Sequence, residues 1–373
     1  MSDSLFISAG EFSGDQHGAD VVRLIKKAHP SMALFGLGGD PLKEAGVTLV
    51  EHNNRLAFMG LGEVLRNYSF LKKVMKRMLA EVDRQKPAAA LLIDYPGFNM
   101  RLARALKKRG IKVYYYISPK FWAWNRRRLK ALRMYVDQMF VIFPFEVALL
   151  QENNISAMYV GNPLVEQVER VKTASREFVP WGKGKRIALL PGSRKQEVER
   201  ILPVLVNAAI RMQREIECSF VLAVPSPYIA QVISNMDLPI SIKIIIGHTP
   251  SVVDQSDAAW VASGTATLEA ALLNIPHVLV YRTGVLTYRV AKAVLDISHV
   301  GLVNILADRE VCPELIQREA HPDALVDRLM PLLEEGTPRR EMMEGFASVR
   351  EILGTKSSAD AVVQQVLKAY SAG

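Results

Sequence analysis

The amino-acid sequence predicts an α/β protein built from two doubly wound domains with parallel sheets. Short β-rich runs alternate with stretches of helical periodicity along most of the 373 residues. Many of these runs are apolar almost throughout, which is typical of parallel strands that are covered on both faces. The alternation occurs in two sets, and the polar stretch 171–185 between them contains Pro180, Gly182 and Gly184.

The first set contains five predicted strands separated by helical stretches. The helix after the third strand is a clear case, because Gly110 follows its last periodic residues and glycine commonly ends a helix. The predicted strands are 5–9, 33–37, 89–94, 112–117 and 138–143.

The second set repeats this βαβ rhythm and predicts a second sheet. Its predicted strands are 185–190, 219–224, 241–246, 258–262 and 277–281. Ligands of doubly wound sheets bind beyond the carboxyl ends of the strands. We therefore expect the two domains to face each other across a cleft that contains the site.

Charge and cysteine content narrow the classes of function. Lys and Arg number 47 against 38 Asp and Glu, and the net charge of +9 favours nucleic acid, an anionic membrane face or a phosphate-bearing substrate. Two cysteines, Cys218 and Cys312, are too few for a disulfide framework or a four-cysteine zinc site. The N-terminus lacks the pattern of a signal peptide, and no run reaches the ~18 apolar residues of a membrane span. We expect a protein that is soluble or attached to a membrane from one side.

Several catalytic classes lack their motifs in this chain. The Walker pattern is absent, which disfavours that kind of ATPase or kinase, and the Gly-x-Ser-x-Gly elbow of acyl-transfer hydrolases is absent too. The seven histidines form no pair with metal-ligand spacing, so no metal site is expected.

The turn after the strand 185–190 has the features of a phosphate site. Ser193 and Gln196 have the spacing of a capping box, which predicts that a helix begins here. A glycine turn before a helix N-terminus presents free N–H groups to an anion, and Arg194 adds a cation suited to phosphate oxygens. The alternative is a capped surface helix with a solvated arginine.

A second turn of this kind follows the strand 258–262. Small and hydroxyl residues surround Gly264, so a phosphate can approach the backbone closely. Glu269 lies about one helical turn further on, where a carboxylate could accept hydrogen bonds from ribose hydroxyls. A tight turn with a solvated glutamate is the alternative, but two such turns in one domain favour a nucleotide diphosphate.

Asp94 ends an apolar strand and precedes Pro96, and Asn99 resembles the cap of the next helix. A carboxylate at such a strand end points towards the expected cleft and could act as a general base. A nearby helix N-terminus weakens a base, so these residues alone favour a structural role for Asp94.

Positive charge is concentrated in two segments that also contain apolar residues. Residues 61–79 have the pattern of an amphipathic helix, either one that lies in a membrane interface or one that packs on the sheet with a wet basic face; we favour packing. Residues 121–130 combine aromatic side chains with arginines. Such a cluster could bind single-stranded nucleic acid or surround a phosphorylated, apolar substrate, and no nucleic-acid module accompanies it.

Eight segments run nearly from one end of the chain to the other in a specific order. They are AGEFSGD (9–15), MGLGEVL (59–65), IDYPGFN (93–99), SPKFWAW (118–124), FPFE (143–146), LLPGSR (189–194), SGTATLE (263–269) and LVNIL (302–306). This combination closely resembles the lipid-A-disaccharide synthases, a family of bacterial glycosyltransferases.

The resemblance implies a GT-B fold with two Rossmann-like domains. We expect an N-terminal acceptor-binding domain at 1–172 and a UDP-sugar-binding domain at 173–346, with 347–373 packing back on the first. The implied location is cytoplasmic, on the cytoplasmic face of an anionic inner membrane. A homodimer is left open.

The implied reaction transfers 2,3-diacylglucosamine from UDP-2,3-diacylglucosamine to 2,3-diacylglucosamine 1-phosphate. It gives the β-1,6-linked lipid A disaccharide 1-phosphate and UDP, with no cofactor and no nucleic-acid partner. Because it inverts the anomeric centre, the resemblance implies a single displacement with one base.

The resemblance assigns roles to the residues singled out above. Asp94 becomes the best candidate for activating the acceptor hydroxyl, and Arg194 with the Ser193 turn is expected to stabilise the departing diphosphate. The implied UDP site contains Gly264, Thr265 and Glu269, with Asn304 close to the nucleotide.

The turn after the first strand matches the family on the acceptor side, through Glu11, Ser13 and Asp15. Phe12 in that turn replaces a residue that is usually small. Gly97 stands where many members of the family have a second aspartate, and Asn162 stands where histidine is common. Neither can act as an acid or base here, which gives Asp94 more weight.

Two other classes of function remain open on the sequence. One is a glycosyltransferase or epimerase that acts on soluble UDP-N-acetylhexosamine, and the other is a non-catalytic sugar-nucleotide binding protein. Formation of a disaccharide from acylated sugars distinguishes the lipid-A-disaccharide synthase reaction from both of these classes.

Overall fold

The computed structural model describes residues 3–57, 68–119, 126–175, 177–240, 242–284 and 299–371. Contacts divide the chain into two compact units, Met1–Pro163 with Thr355–Gly373, and Leu164–Gly354. The boundaries that we expected, after 172 and after 346, lie inside the helices Pro163–Thr173 and Thr337–Leu353. A pattern of polar residues and breakers located the connection only approximately, because a helix begins before the polar stretch.

The first unit contains a seven-stranded parallel sheet with the order β3-β2-β1-β4-β5-β6-β7. All five strands predicted for this half are confirmed, and two more flank them. The strands are β1 Ser4–Ala9, β2 Ala33–Gly38, β3 Thr48–His52, β4 Ala89–Ile93, β5 Lys112–Tyr116, β6 Gln138–Val141 and β7 Ala157–Tyr159. The two unpredicted strands, β3 and β7, are edge strands that are mostly half-exposed, so they lack the continuous apolar run of a central strand.

Helices cover both faces of this sheet. Those that precede the second unit in the sequence are α1 Phe12–Ala28, α2 Asp40–Glu44, α3 Asn54–Ala57, α4 Tyr68–Gln85, α5 Pro96–Lys107, α6 Arg126–Tyr135 and α7 Phe145–Glu152. The strands contribute alternate residues to two cores: Phe6 and Tyr115 belong to one, and Ile7 and Tyr116 belong to the other. Burial on both faces is the reason that the central strands are apolar throughout.

Helix α4 shows how the described part of the predicted amphipathic segment is used. Val74, Met78 and Val82 are buried in the core on one face of the sheet, whereas Lys72 and Lys76 are exposed. The expected packing on the sheet is therefore confirmed for residues 68–79. Residues 61–67 lie outside the described residues, as do 121–125 of the second basic and aromatic segment.

The second unit contains a six-stranded parallel sheet with the order β10-β9-β8-β11-β12-β13. The five strands predicted for this half are confirmed, and the short edge strand β13 is an addition. The strands are β8 Lys185–Leu190, β9 Cys218–Val224, β10 Lys243–Ile246, β11 Ala258–Ala262, β12 His277–Tyr281 and β13 Glu314–Ile316.

The helices of the second unit surround its sheet. Trp260 of β11 is fully buried, stacks on Phe220 at 6.0 Å between ring centroids, and donates a hydrogen bond from Nε1 to the backbone oxygen of Leu325 at 3.1 Å. The helices are α8 Pro163–Thr173, α9 Lys195–Met212, α10 Pro227–Ser234, α11 Thr249–Asp254, α12 Thr265–Leu272, α13 Leu302–Ala307, α14 Pro322–Leu329 and α15 Thr337–Leu353, with a 3₁₀ turn at Met330–Leu332.

The last helix, α16 Ser358–Ser371, returns to the first unit. It lies against α1, and its buried residues Val362 and Val366 join the core around Ile7. Tyr370 closes the contact by donating its hydroxyl to the backbone oxygen of Ser4 at 2.8 Å. The first unit is therefore assembled from both ends of the chain.

We expect Val362→Ala to lower the free energy of unfolding by about 2 kcal/mol. The substitution removes two buried carbon atoms, each worth about 0.8 kcal/mol, and leaves a small cavity under α16. Urea unfolding followed by circular dichroism measures the loss. Gln364→Ala is the matched control, because Gln364 is exposed on the same helix. Equal effects of the two substitutions would show that α16 does not contribute to the core.

Candidate active site

The two phosphate-type turns predicted in the second half lie at the ends of neighbouring strands. Strand β8 pairs with β11 in parallel, and Leu190 lies opposite Val261. From this pair the sheet continues to β9 on one side and to β12 on the other, so the strand order reverses here. Ligands of doubly wound sheets bind at such a switch point, beyond the carboxyl ends.

The turn after β8 leads into α9, so the predicted helix start is confirmed. The predicted capping pair is wrong: Arg194, not Ser193, is the N-cap, and the side chain that reaches back is that of Glu197. Its carboxylate accepts hydrogen bonds from the backbone N–H groups of Ser193 at 3.2 Å and Arg194 at 3.3 Å. An ionised carboxylate is the stronger acceptor for these donors, which explains its preference over Gln196. An anion at this turn would share or replace those contacts.

The side chain of Arg194 is largely exposed, with 83% of its surface open to solvent. Its Nη1 lies 3.2 Å from Oε1 of Glu197, a surface pair that holds the guanidinium weakly. Gly192 has a φ of +114°, and a Cβ added there would lie 2.7 Å from Oε2 of Glu197. Glycine is therefore required for the turn that places the guanidinium beyond the strand ends.

The turn after β11 leaves its backbone open. Gly264 has a φ of +158°, and nothing lies within 4 Å of the position that a Cβ would occupy. Helix α12 begins at the next residue, Thr265, which is exposed, and Oγ1 of Thr267 donates to the backbone oxygen of Gly264 at 2.7 Å. An open glycine before a helix N-terminus suits the close approach of an anionic group.

Glu269 lies one turn into α12. Burial raises the pKa of its carboxyl to about 7, because the charged form loses hydration there. The carboxyl therefore titrates closer to neutral pH than that of an exposed glutamate. Its ionised form would gain from hydroxyl donors more than an exposed carboxylate does, since little water competes for the oxygens.

Asn304 is committed to its own segment. Its Nδ2 donates to the backbone oxygen of Cys312 and to Oε1 of Glu314, both at 2.8 Å, and its Oδ1 accepts from the N–H groups of Val311 at 2.8 Å and Cys312 at 2.9 Å. These four contacts use both donors and both lone pairs of the amide. The side chain is buried, and a direct contact with a ligand would break one of these bonds.

The first unit has an equivalent switch point between β1 and β4. Ala9 lies opposite Ile93, and the chain continues from these strand ends into the turns at Gly10 and Asp94. The side chain of Asp94 is half-buried at this edge. The structure therefore brings together the first-strand turn and Asp94, which lie more than 80 residues apart in sequence.

Asp94 and Tyr95 are both in the left-handed region, with φ values of 45° and 49°. Two consecutive non-glycine residues in this conformation are strained and persist only where the surroundings hold them. The N–H of Asp94 donates to the backbone oxygen of Tyr116 at 2.9 Å. Its backbone oxygen accepts from the hydroxyl of Tyr115 at 2.7 Å and from Nδ2 of Asn99 at 2.8 Å. These three hydrogen bonds hold the backbone of Asp94 in the left-handed conformation.

The prediction that Asn99 caps a helix is wrong. Helix α5 begins at Pro96, and Asn99 is buried inside its first turns. Its Nδ2 also lies 3.1 Å from the backbone oxygen of Ile93, and its Oδ1 accepts from the hydroxyl of Ser8 at 2.7 Å. An asparagine can either cap a helix or donate hydrogen bonds to buried groups. Here the buried carbonyl groups of β1 and β4 accept from its amide.

Tyr95 and Gly10 were not singled out by the sequence, although they shape this edge. A Cβ added at Gly10 would lie 2.1 Å from Cδ1 of Tyr95, so the ring rests directly on the glycine backbone. The presence of glycine straight after a predicted strand was the available signal, but its partner could not be read locally.

The residues of the first-strand turn separate into two environments. Glu11, Phe12 and Ser13 are exposed, and Phe12 keeps 66% of its surface open. Asp15 is fully buried, and its Oδ1 accepts from the N–H of Gly39 at 2.7 Å. Burial raises the pKa of this carboxyl, although the hydrogen bonds partly oppose the shift. Asp15 therefore fastens the turn after β2, whereas its neighbours face outwards.

The two departures from the family pattern have different settings. Gly97 is exposed, and nothing lies within 4 Å of a Cβ added there, so the aspartate that the resemblance leads us to expect at this position would fit. Asn162 is buried, and its Nδ2 donates to the backbone oxygen of Ile142 at 3.0 Å. Within the described ranges no group of three His, Cys, Asp or Glu side chains is placed to hold a metal ion.

Comparison with known proteins identifies the family. The family model of the lipid-A-disaccharide synthetases matches residues 5–366. The lipid-A-disaccharide synthase of Myxococcus xanthus is 39% identical over 99% of this chain and 98% of the relative. That of Syntrophus aciditrophicus is 38% identical over 96% of each chain.

Solved structures with low identity share the fold. A co-structure of Staphylococcus aureus MnaA with UDP has a TM-score of 0.68 at 11% identity and covers 99% of this chain and 97% of its own. The calicheamicin glycosyltransferase CalG4 has a TM-score of 0.60 at 13% identity and covers 99% and 98%. The two parallel α/β sheets are thus those of the GT-B fold, as the resemblance implied. With matching motifs at the carboxyl ends of both sheets and a family match over nearly the whole length, the chain belongs to the lipid-A-disaccharide synthase family of glycosyltransferases.

Proposed function

We propose that this enzyme transfers 2,3-diacylglucosamine from UDP-2,3-diacylglucosamine to the 6-hydroxyl of 2,3-diacylglucosamine 1-phosphate. The products are the β-1,6-linked lipid A disaccharide 1-phosphate and UDP. The observation that carries the proposal is the pair of phosphate-type turns at one switch point, in a chain that belongs to this family. Each turn supplies open backbone or a cation where the departing diphosphate needs them.

The donor side of the proposal uses the second unit. Arg194 and the Ser193 turn bind the diphosphate, and they stabilise the negative charge that builds up as the bond to the anomeric carbon breaks. Gly264 and Thr265 admit the phosphate to the N-terminus of α12, while Glu269 accepts hydrogen bonds from the ribose hydroxyls. Asn304 supports this site indirectly, because its amide holds the segment that follows α13.

The acceptor side uses the first unit. The Asp94 carboxylate takes the proton of the acceptor hydroxyl while the hydroxyl oxygen attacks the anomeric carbon and UDP leaves on the opposite face. One displacement inverts the anomeric centre. The hydrogen bonds to the backbone oxygen of Asp94 fix the position of its Cα at the strand end, which favours the use of its carboxylate as a base. Glu11 and Ser13, exposed beyond β1, are available to bind the acceptor.

An acylated substrate requires access to a membrane, and we propose the cytoplasmic face of an anionic inner membrane. Lys72, Lys73, Lys76 and Arg77 are exposed along α4 and could meet anionic headgroups. None of the described helices is long and apolar enough to cross a bilayer. Attachment would therefore use the surface of α4 or neighbouring residues, and a homodimer is compatible with it.

The deciding experiment incubates the purified enzyme with both acylated sugars in detergent and measures the disaccharide 1-phosphate by mass spectrometry. Parallel reactions contain UDP-N-acetylglucosamine without acyl chains. Product from the acylated pair alone supports the proposal. Turnover or epimerisation of only the unacylated sugar would identify an enzyme of soluble sugar nucleotides, and UDP-sugar binding without turnover would identify a binding protein.

We expect Asp94→Asn to lower kcat by ~10²-fold or more, because the amide cannot accept the hydroxyl proton. The affinity for UDP should stay unchanged, since Asp94 belongs to the other unit. Asp20→Asn on α1 is the control and should turn over normally. Normal turnover by the Asp94 variant would remove it as the base.

We expect Arg194→Ala to weaken UDP binding and to lower kcat together, each by about tenfold or more, since charge-assisted contacts to phosphate are worth about 1.5–3 kcal/mol. Lys195→Ala removes the neighbouring charge, which is paired with Glu199, and should change neither quantity much. UDP inhibition and steady-state rates measure both effects. If the two variants behave alike, Arg194 does not contact the diphosphate.

The affinity for UDP should rise with pH through the range around 7. The pKa of Glu269 is raised to about 7, and ribose binding requires the ionised form, so a proton must be lost on binding below that pH. Between pH 6 and pH 8 the gain attributable to this one group is about tenfold. Glu269→Gln removes the gain but keeps the titration of UDP itself, so calorimetry on both proteins isolates it. Identical pH profiles would exclude the role.

A further inference from the structure

The strongest feature outside the proposed site is a cavity of about 650 Å³ at the amino-terminal edge of the first sheet. The chain on either side of it leads into β4 through Lys86 and Ala88 and into β5 through Gly110 and Lys112. Asp94 follows the opposite end of β4. The five residues of that strand rise about 3.3 Å each, so the cavity lies about 17 Å from the acceptor edge.

Four cations surround this cavity. Three of them, Lys86, Lys112 and Lys368, are exposed lysines that pair with no acidic side chain of the described residues. The fourth, Arg109, makes a two-pronged contact with Asp83: Nε lies 2.7 Å from Oδ1 and Nη2 lies 3.0 Å from Oδ2. Asp83 is thus neutralised by the arginine, and the three lysines retain their charge around one concave space.

Lys86 has an unusual backbone conformation at the edge of the cavity. It directly follows α4 with a φ of +48°, and its N–H donates to the backbone oxygen of Val82 at 2.8 Å. This left-handed position at the end of a helix favours glycine or asparagine. Lysine is strained in this conformation, which the hydrogen bond to Val82 helps to hold.

Lys112 is partly ordered by an aromatic ring. Its Nζ lies 5.4 Å from the centroid of Tyr114, within the range of a cation–π contact. The hydroxyl of Tyr114 in turn donates to the backbone oxygen of Gln365 in α16, the helix that carries Lys368. Strand β5 and the returning helix therefore present their lysines from a common framework.

The floor of the cavity is apolar. Val82, Pro87 and Ile111 line it and are buried, and Ala369 adds a half-buried methyl group. Lysines held around an apolar floor of this volume suit an anion that is attached to an apolar group. Phosphate is the anion that matches three ammonium groups around one cavity best, because each of its oxygens can accept from a different donor.

We propose that this cavity is an accessory binding site for a phosphate group carried by an amphiphile, separate from the catalytic edge. Lys86, Lys112 and Lys368 bind the phosphate, and the surface around Val82 and Ile111 accepts the adjoining apolar part. The phosphate can belong to a phospholipid headgroup or to a free phosphorylated compound, and the chemistry of recognition is the same for both.

The test compares two triple variants with the same loss of charge. Lys86→Gln, Lys112→Gln and Lys368→Gln are combined in one protein. Lys27→Gln, Lys43→Gln and Lys183→Gln, all at exposed positions away from the cavity, are combined in the control. One arm titrates soluble hexyl phosphate, a phosphate with a short apolar chain, by calorimetry, and the other measures cosedimentation with phosphatidylglycerol vesicles against phosphatidylcholine vesicles at 0.1 M salt.

We expect the cavity variant to bind at least tenfold more weakly than the control in one arm or both. A loss with vesicles alone identifies the headgroup of a membrane lipid, and a loss with hexyl phosphate identifies a free phosphorylated amphiphile. UDP affinity should be the same in both variants, because the donor site is in the other unit. Equal binding by the two variants in both arms would overturn the proposal, and so would a loss of UDP affinity in the cavity variant alone.

Discussion

The parallel arrangement of the strands is the constraint on which the rest of the structure depends. Because neighbouring strands run in the same direction, every loop that leaves a strand emerges at the same edge of its sheet. The order of the strands reverses once in each sheet, next to β1 and next to β8. Chain segments that are distant in sequence, such as the turns at Ser193 and Gly264, are brought together at these reversals.

The locked strand end at Asp94 shows how a scaffold of this kind stores an unfavourable conformation. Two left-handed residues in succession are held by Asn99 and by the hydroxyl of Tyr115, and Asn99 is itself held by Ser8. The donors come from β1, β5 and α5, so the strain depends on packing between elements. A loop without these contacts would relax to an unstrained backbone conformation.

Exposed cations and buried ionisable groups lie in different regions of the molecule. The net charge of +9 is not spread evenly. Exposed lysines lie along α4 and around the cavity at the amino-terminal edge of the first sheet, and Arg194 lies at the carboxyl edge of the second sheet. Inside the second unit the opposite tendency holds, because burial of Glu269 disfavours its charge. Cations thus face solvent where we expect anions, and the pKa of the Glu269 carboxyl, beside the turn after β11, is raised by burial.

The sequence by itself determined the central strands, the turns after β8 and β11 with the helices that follow them, the family and the packing of α4. The strands follow from local patterns, since burial on both faces requires apolar runs, and glycine in the turns indicates where the next helices begin. Only the tertiary structure decided which strand ends are neighbours, and that Asn99 supports Asp94 and does not cap a helix. It also decided that the side chain of Glu197, and not that of Gln196, reaches back to the turn after β8, and that the amide of Asn304 is already hydrogen-bonded. It also brought Lys86, Lys112 and Lys368 to one cavity. The neighbouring strand ends, the contact of Asn99 with Ser8 and the three lysines join residues far apart in the chain, and their geometry depends on strand order and crossover connections that no local pattern encodes. The contacts of Glu197 and Asn304 lie within one segment each, but several polar side chains could make them, and the folded backbone selects one.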